Sequence, residues 1–325
     1  MFSSRIVDAT DPDLYIASTR PTCVELTVTE SGPFYARSIL FNLGRVYAQR
    51  SVEQLTRIKR VAVARGGIMF LTKPGPSMFL NGAEIGMNQI AVVGAGEVYT
   101  CRLSGATQWG AMTLADEDMD ALCTTEAGGG TYRISGAAVI TPPPAALAHL
   151  RSLHSYMDRL AETTPELLTD TELARSLEHS LVEGMRATLS TYAVENHPDT
   201  LSRSHSQLIA KRFCALVQAE ADRQLNMSEI SRKIGVSGRT LRLACQVQLG
   251  VSPRQYVMLR RMQAARRALQ KADPEISRVT DVATELGFWE LGRFSVNYRH
   301  MFGEMPSATL KRASVAADPR LVASL

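Results

Sequence analysis

The sequence predicts an α+β chain: a β-rich N-terminal domain, a helical middle segment and an all-α C-terminal domain. Three observations predict it. Residues 1–140 carry short alternating apolar runs punctuated by Gly, Pro and Asn-Gly. Residues 145–193 switch to apolar repeats at threes and fours. Residues 206–312 contain one two-helix pattern twice. The boundaries that follow are 1–140, 145–205 and 206–325, and 325 residues give room for two or three domains.

In the first region "TCVELTVTE" alternates Val24, Leu26 and Val28 with Glu25 and Thr27, the period of a half-buried strand. "SMFLNGAEIG" sets Asn81-Gly82 between apolar residues, a hairpin signal. "RVAVARGGIMFLTKPG" and "EVYTCRLSG" read as further strands. Many short strands with frequent turns predict a sandwich or small barrel. "EAGGG" (126–130) and "TPPPAA" (141–146) mark its end, because three successive prolines cannot continue a strand ladder.

The next region carries Leu147, Leu150, Leu153, Met157 and Leu160 on one helix. After "TTPELLTD", a second carries Leu173, Leu177, Leu181, Met185 and Leu189. Each stripe needs a covering surface. Packing against the β domain and a seam between two copies of the chain are both open at this point.

In the last region "ISRKIGVSGRTLRLACQVQLGVSP" (230–253) lies over "VATELGFWELGRFSVNYRHMFGEMP" (282–306). Leu241, Cys245 and Leu249 fall on Phe294, Tyr298 and Phe302, and Gly250 and Pro253 on Gly303 and Pro306. Each copy reads as a short helix, a turn at a glycine, and a second helix. Ser228 and Ser237 are the expected N-caps in the first copy. "PRQYVMLRRMQAARRALQK", with Tyr256, Leu259, Met262 and Leu269 on one side, reads as the helix joining the copies.

The net charge of +4 is unevenly spread: residues 206–325 hold 19 Lys+Arg and 10 Asp+Glu, hence +9, and residues 1–205 hold 17 and 22, hence −5. A basic domain with a doubled helix-turn-helix points to double-stranded DNA. In the first copy Ser237 and Gly238 open the second helix, and Arg239, Arg242, Leu243 and Gln246 share the face opposite the core ridge. Arg can hold guanine, and Gln adenine, through paired hydrogen bonds, so Arg239 and Arg242 are the expected base readers. In the second copy Gly292, Ser295, Val296 and Arg299 face outward with Arg293 beside them. That face is small and suits a thymine methyl or a phosphate.

These residues resemble the AraC/XylS family of bacterial transcription regulators, over "NMSEISRKIGVSGRTLRLACQVQLGVSPRQYVMLRRMQAAR" and "DVATELGFWELGRFSVNYRHMFGEMPSATLKR". The second stretch looks most like the ethanolamine-utilisation regulator branch. Thr309 departs from the family, where an aromatic often stands, and so does Leu243, where some relatives carry a base-contacting arginine. The resemblance implies two helix-turn-helix units reading successive major grooves, a cupin-like barrel over residues 1–140 that senses a small molecule, and a dimerisation segment after it. It also implies an activator that meets promoter DNA, RNA polymerase and a second copy of the chain.

For the effector, residues 37–73 hold Arg37, Arg45, Arg50, Arg57, Lys59, Arg60, Arg65 and Lys73 against Glu53 alone. Such density fits an anion pocket, a solvated face, or a surface for a protein partner. Read as a pocket, Arg37, Arg45, Arg57, Arg60, Arg65 and Asn81 are its candidates. "RIKRVAVAR" followed by "NGAEIG" loosely resembles a cyclic di-GMP-binding arrangement of the PilZ type, with Ala83 where a serine is expected. An enzyme is not expected, and neither is a cofactor or metal. None of the six histidines lies in residues 1–140, and the five cysteines are scattered, without a CxxC pair. No apolar run reaches membrane-spanning length and the N-terminus lacks a signal pattern, so a cytoplasmic chain is expected.

Overall fold

The computed structural model describes residues 2–19, 23–96, 98–127, 130–133, 136–190, 200–220 and 226–316. The chain divides into two compact units, Met1–Leu26 with Phe34–Arg203, and Thr27–Pro33 with Ser204–Leu325. The order begins β1 Ser3–Ala9, α1 Pro12–Ser18, β2 Cys23–Val28, β3 Ala36–Leu43, β4 Val46–Glu53, β5 Arg57–Ala62 and β6 Gly67–Leu71. It continues with β7 Met78–Leu80, β8 Ala83–Ile85, β9 Ile90–Val93, β10 Val98–Leu103, β11 Thr107–Leu114 and α2 Asp116–Cys123. A hairpin of β12 Thr124–Ala127 and β13 Gly130–Arg133 follows, then β14 Ala137–Ile140, α3 Pro144–Thr163 and α4 Thr171–Leu189.

Seven strands form one sheet in the order β1-β3-β4-β11-β6-β9-β14, and five form another, β2-β5-β10-β7-β8. Alternation along the central strands splits their residues between two cores. Met69, Leu71, Ala91, Val93 and Trp109 join Val61, Met78, Leu80, Tyr99 and Leu103 of the smaller sheet. Ile68, Phe70, Ile90, Val92, Met112 and Leu114 face the other way, onto Leu147, Leu150, Met157, Leu177, Leu181 and Met185 of α3 and α4. The large sheet is thus the middle of three layers, which is why β6 and β9 are apolar at every position but the glycine.

This layering decides two expectations. The helical stripes are consumed by the sheet, so a seam between copies would have to use other residues. The closed barrel of the expectation does not form: among the described residues neither sheet closes on itself. The two sheets face each other across one core, and α3 and α4 cover the other face of the larger sheet. The Asn81-Gly82 hairpin forms as expected between β7 and β8, with φ of 46° and 78° at the two turn residues.

The second unit holds α5 Thr200–Ala219, α6 Met227–Ile234, α7 Gly238–Leu249, α8 Pro253–Lys271, α9 Val279–Glu285, α10 Leu291–Phe302 and α11 Pro306–Ala316. Matched glycines close matched helix ends: Gly235 and Gly287 have φ of 79° and 81°, Gly250 and Gly303 of 72° and 74°. An L-residue with a side chain resists that region, so these positions fix where the turns fall. The cap of α6 is Asn226, whose Oδ1 accepts from the Glu229 amide at 2.8 Å; Ser228 lies inside the first turn and is not the cap. Ser237 caps α7 as expected, and Ser252 caps α8.

Phe294 and Tyr298 are fully buried, Met301 nearly so, and Phe302 is half-buried. Their rings step along α10, with Phe288–Phe294 centroids at 4.8 Å, Phe294–Tyr298 at 5.6 Å and Tyr298–Phe302 at 4.6 Å. Thr309 explains its departure from the aromatic: its hydroxyl meets Tyr298 Oη at 2.8 Å and donates to Glu304 Oε1 at 2.8 Å. A ring there would leave the buried tyrosine hydroxyl unpaired. Thr309→Val, which keeps the volume and removes the hydroxyl, is expected to cost about 1–3 kcal/mol in urea unfolding. An unchanged midpoint would show that the bond contributes nothing.

Candidate functional site

The first candidate site is the exposed face of α7. Leu241, Ala244, Cys245, Gln248 and Leu249 are buried, and Arg239, Arg242, Leu243, Gln246 and Val247 are exposed. The division follows from helical period: core residues step by three and four, and the outward residues occupy what remains. Ser237 Oγ accepts from the Thr240 amide at 3.1 Å, which fixes the start of the helix and the position of Arg239 in its first turn. Gln246 Nε2 donates to the Gly250 carbonyl at 3.3 Å, so its amide is held towards the end of the helix. Leu243 is 62% exposed and is the apolar member of this outward face, next to Val247 at 39%.

On α10 the outward residues are Gly292, Arg293, Val296, Asn297, Arg299 and His300, with Ser295 half-buried. Ser295 Oγ donates to the Leu291 carbonyl at 3.1 Å, so this hydroxyl is turned back onto its own helix. Arg293 pairs with Glu290 at 2.9 Å on a wholly solvated face. A Cβ at Gly292 would meet nothing within 4 Å, and at Gly238 only Ser231 Oγ at 3.9 Å, so both glycines leave open approach to the helix starts. Of the eleven residues expected to face DNA, ten lie on the two second helices and Ser237 caps the first of them; all but Ser295 are exposed.

The second candidate site is a cavity of about 510 Å³ between the two sheets of the first unit. Its walls are mainly apolar and aromatic: Val61, Val63, Met69, Tyr99, Leu103 and Trp109. Among the described residues that line it, Lys59 and Arg65 are charged and none is a carboxylate. Register explains the layering. Lys59 and Val61 are alternate residues of β5, paired with Cys101 and Tyr99 of β10. Trp109, Ala111 and Thr113 line the facing sheet, paired with Ser51, Gln49 and Tyr47.

Beneath the cavity lies a buried polar cluster centred on Glu53. Its Oε1 accepts from Lys59 Nζ at 2.5 Å, Trp109 Nε1 at 2.7 Å and Tyr15 Oη at 2.8 Å. Its Oε2 pairs with the guanidinium of Arg57, which also donates to the carbonyls of Leu55 and Gly105. The ammonium of Lys59 lies 4.6 Å from the Trp109 ring centroid and 5.1 Å from that of Tyr15. Burial alone would raise the Glu53 carboxyl, but Arg57 and Lys59 overcome it and hold it at about 2. Burial pulls the Lys59 ammonium down against the pull of Glu53, and pushes the Tyr15 phenol well up, aided by the Glu53 charge. The Cys101 thiol in the cavity wall is pushed up by burial to about 12, which makes it a neutral lining group.

The six residues expected to bind an effector are not brought together. Arg65 lines the cavity, and Arg57 lies one layer beneath it. Arg37 pairs with Asp8 and Glu162, Arg45 with Asp118, and Arg60 with Glu25. Asn81 Oδ1 accepts from the Thr100 amide at 2.9 Å and serves the hairpin. Sequence reasoning missed Tyr15, Lys59 as the cavity cation, and Trp109, which come from α1, β5 and β11. The available signal was Glu53, one acid among eight basic residues.

Comparison with known proteins bears on the helical unit. A family model described as a helix-turn-helix domain matches residues 230–312. A probable thc operon regulatory protein of Rhodococcus erythropolis is 38% identical over 95 residues, which are 29% of each chain. XylDLEGF operon transcriptional activator 1 of Pseudomonas putida is 29% identical over 102 residues, 31% of each chain. The matches thus span under a third of these relatives. The solved structure of the AraC-like transcriptional activator CuxR covers 81% of this chain and 95% of its own, at 13% identity and a TM-score of 0.44.

Proposed function

We propose, from the match of residues 230–312 to a helix-turn-helix family model and to XylDLEGF operon activators, that the chain is a transcription regulator of the AraC/XylS type that binds promoter DNA through α7 and α10 and answers to a small molecule held in the intersheet cavity. The observation that carries the reading is the repeated motif with Arg239, Arg242, Leu243 and Gln246 exposed together on α7. Arg239 and Arg242 are the base readers, Leu243 meets a thymine methyl, and α10 anchors through Arg299. The Pseudomonas putida relative is named a transcriptional activator. We extend that role to this chain, acting with RNA polymerase in the cytoplasm and as a homodimer. No described helix is long and apolar enough to cross a membrane.

The effector would act by population shift, favouring the arrangement in which both motifs reach DNA. Cyclic di-GMP is the less suited anion: its two phosphates would meet only Lys59 and Arg65 among the charged lining residues.

Footprinting on genomic fragments selected by the protein tests the DNA reading. A protected site about two major grooves long is expected, and absence of any protected site sinks the proposal. Arg299→Ala is expected to weaken binding to all sequences and to lower the slope of log affinity against log salt by about one. Loss confined to one base position would make Arg299 a reader instead.

A further inference from the structure

A hollow of about 440 Å³ opens in the second unit, where the two helix-turn-helix motifs meet the joining helix. Its wall on α8 is Arg254, Val257, Met258 and Arg261, at the spacing of one helix face. The core takes another face of α8, with Tyr256, Leu259, Met262 and Ala265 buried. Asn226 and Met227, at the start of α6, belong to the first motif, and Phe288, in the turn ahead of α10, to the second. Both motifs therefore border one space.

The hollow is cationic. Among the described residues neither Arg254 nor Arg261 has an ion pair, and none that lines the hollow is a carboxylate. Arg261 is half-buried, and burial pulls its guanidinium below its ordinary value with no carboxylate to offset it. A partly desolvated cation of this kind costs free energy that an incoming anion recovers. The two arginines lie about 10 Å apart along the helix at 1.5 Å per residue. Val257 and Met258 lie between them in sequence, and Met227 and Phe288 add apolar surface. A DNA strand offers the matching pattern, charged phosphates alternating with the apolar faces of deoxyribose.

Position favours DNA over an acidic protein. With α7 and α10 in successive major grooves, the duplex between them presents one minor groove and its two rows of phosphates. The surface where both motifs join α8 is the one that faces this span. Phe288 is held by Phe294 at 4.8 Å, and four residues further on Gly292 opens the outward face of α10.

We infer that the hollow seats the sugar-phosphate backbone beside the minor groove between the two read major grooves, with Arg254 and Arg261 on phosphates and Met258 and Phe288 against sugar. This rests on the reading of α7 and α10 as the DNA-binding helices. The contact carries no sequence. It forms when both motifs lie on the same duplex, and so fixes the register of one motif against the other.

Binding of the full chain to its selected operator, without RNA polymerase, tests it, on duplexes in which single phosphates are replaced by neutral methylphosphonates. A loss of about tenfold is expected at one or two phosphates midway between the footprinted grooves. Arg254→Gln and Arg261→Gln are each expected to weaken binding to all sequences and to lower the slope of log affinity against log salt by about one. Each variant should also become insensitive to the methylphosphonate at its own phosphate. If midway substitutions are neutral while those in the footprinted grooves weaken binding, the inference is overturned and the DNA reading stands. If both variants bind DNA as the natural chain does but no longer activate transcription with polymerase present, the hollow seats an acidic protein and the inference is overturned. If no operator is selected at all, the DNA reading falls and this contact with it. Should Arg261→Gln fail to fold, the phosphate scan on the unaltered chain and on Arg254→Gln, whose side chain is exposed, still decides.

Discussion

Glu53→Gln is expected to lower the unfolding free energy of the first unit by about 3–5 kcal/mol, the cost of leaving buried charges without their partner. Glutamine has nearly the shape of glutamate, so packing is preserved and the charge alone is lost. Arg57 and Lys59 would then face each other across a dry site, with Tyr15 and Trp109 offered a weaker acceptor. The pH dependence follows from the same group. Its folded value of about 2 lies below the ordinary 4.5. The stabilisation is therefore complete above about 4.5 and is lost as pH falls from there through about 2. Urea unfolding followed by circular dichroism between pH 2.5 and 7 should show a slope in that window for the natural chain and a shallower one for Glu53→Gln. A loss below about 1 kcal/mol at neutral pH would mean that the cluster is solvated or relaxes freely.

The second large effect is on DNA. Under the proposed assignment, Arg239→Ala and Arg242→Ala each cost about 1–3 kcal/mol of specific binding, with selectivity relaxed at one base position apiece. Both guanidinia are exposed on α7 and no core contact depends on them, so folding is expected to be unaffected. Competition binding against operators randomised at single positions separates the two effects. If both variants keep the natural preference at every position, α7 does not read bases through this face. If affinity falls equally for all sequences, the arginines hold phosphates.

The helical unit was legible in the sequence because its determinants are local. A ridge at every fourth residue, a glycine at each turn and a serine cap act within a few residues, and the second copy checks the first. Ser228 was misread because Asn226, two residues earlier, offers an equally good cap and wins by position. The cavity was not legible. Its floor joins residues from α1, β4, β5 and β11, and nothing in the order of strands along the chain announces the order in the sheets. The basic stretch 37–73 misled for a definite reason: alternation sends its members to different faces. Arg57 and Lys59 point inward from β5, while Arg60 points to Glu25 on the other side. Counting charge along a strand therefore overstates how much of it converges. The solitary acid carried more information than the count of bases, because it marks the point where Arg57 and Lys59 meet, while Arg37, Arg45, Arg50 and Arg60 pair with acids elsewhere.

The chain has two tryptophans, and their settings differ as much as two indoles in one protein can. Trp109 is 7% exposed, hydrogen-bonded to Glu53 and part of the cavity wall, and Trp289 is 69% exposed in the turn that opens α10. One indole thus emits from a dry site in the first unit and the other from water beside the second recognition helix. Trp109 is expected to emit at shorter wavelength than Trp289, and a quencher in solution to act more strongly on Trp289. Under the proposed function, filling of the cavity and engagement of DNA are expected to give two optical signals in the same cuvette, without a label, and the order in which they change would report whether ligand precedes operator.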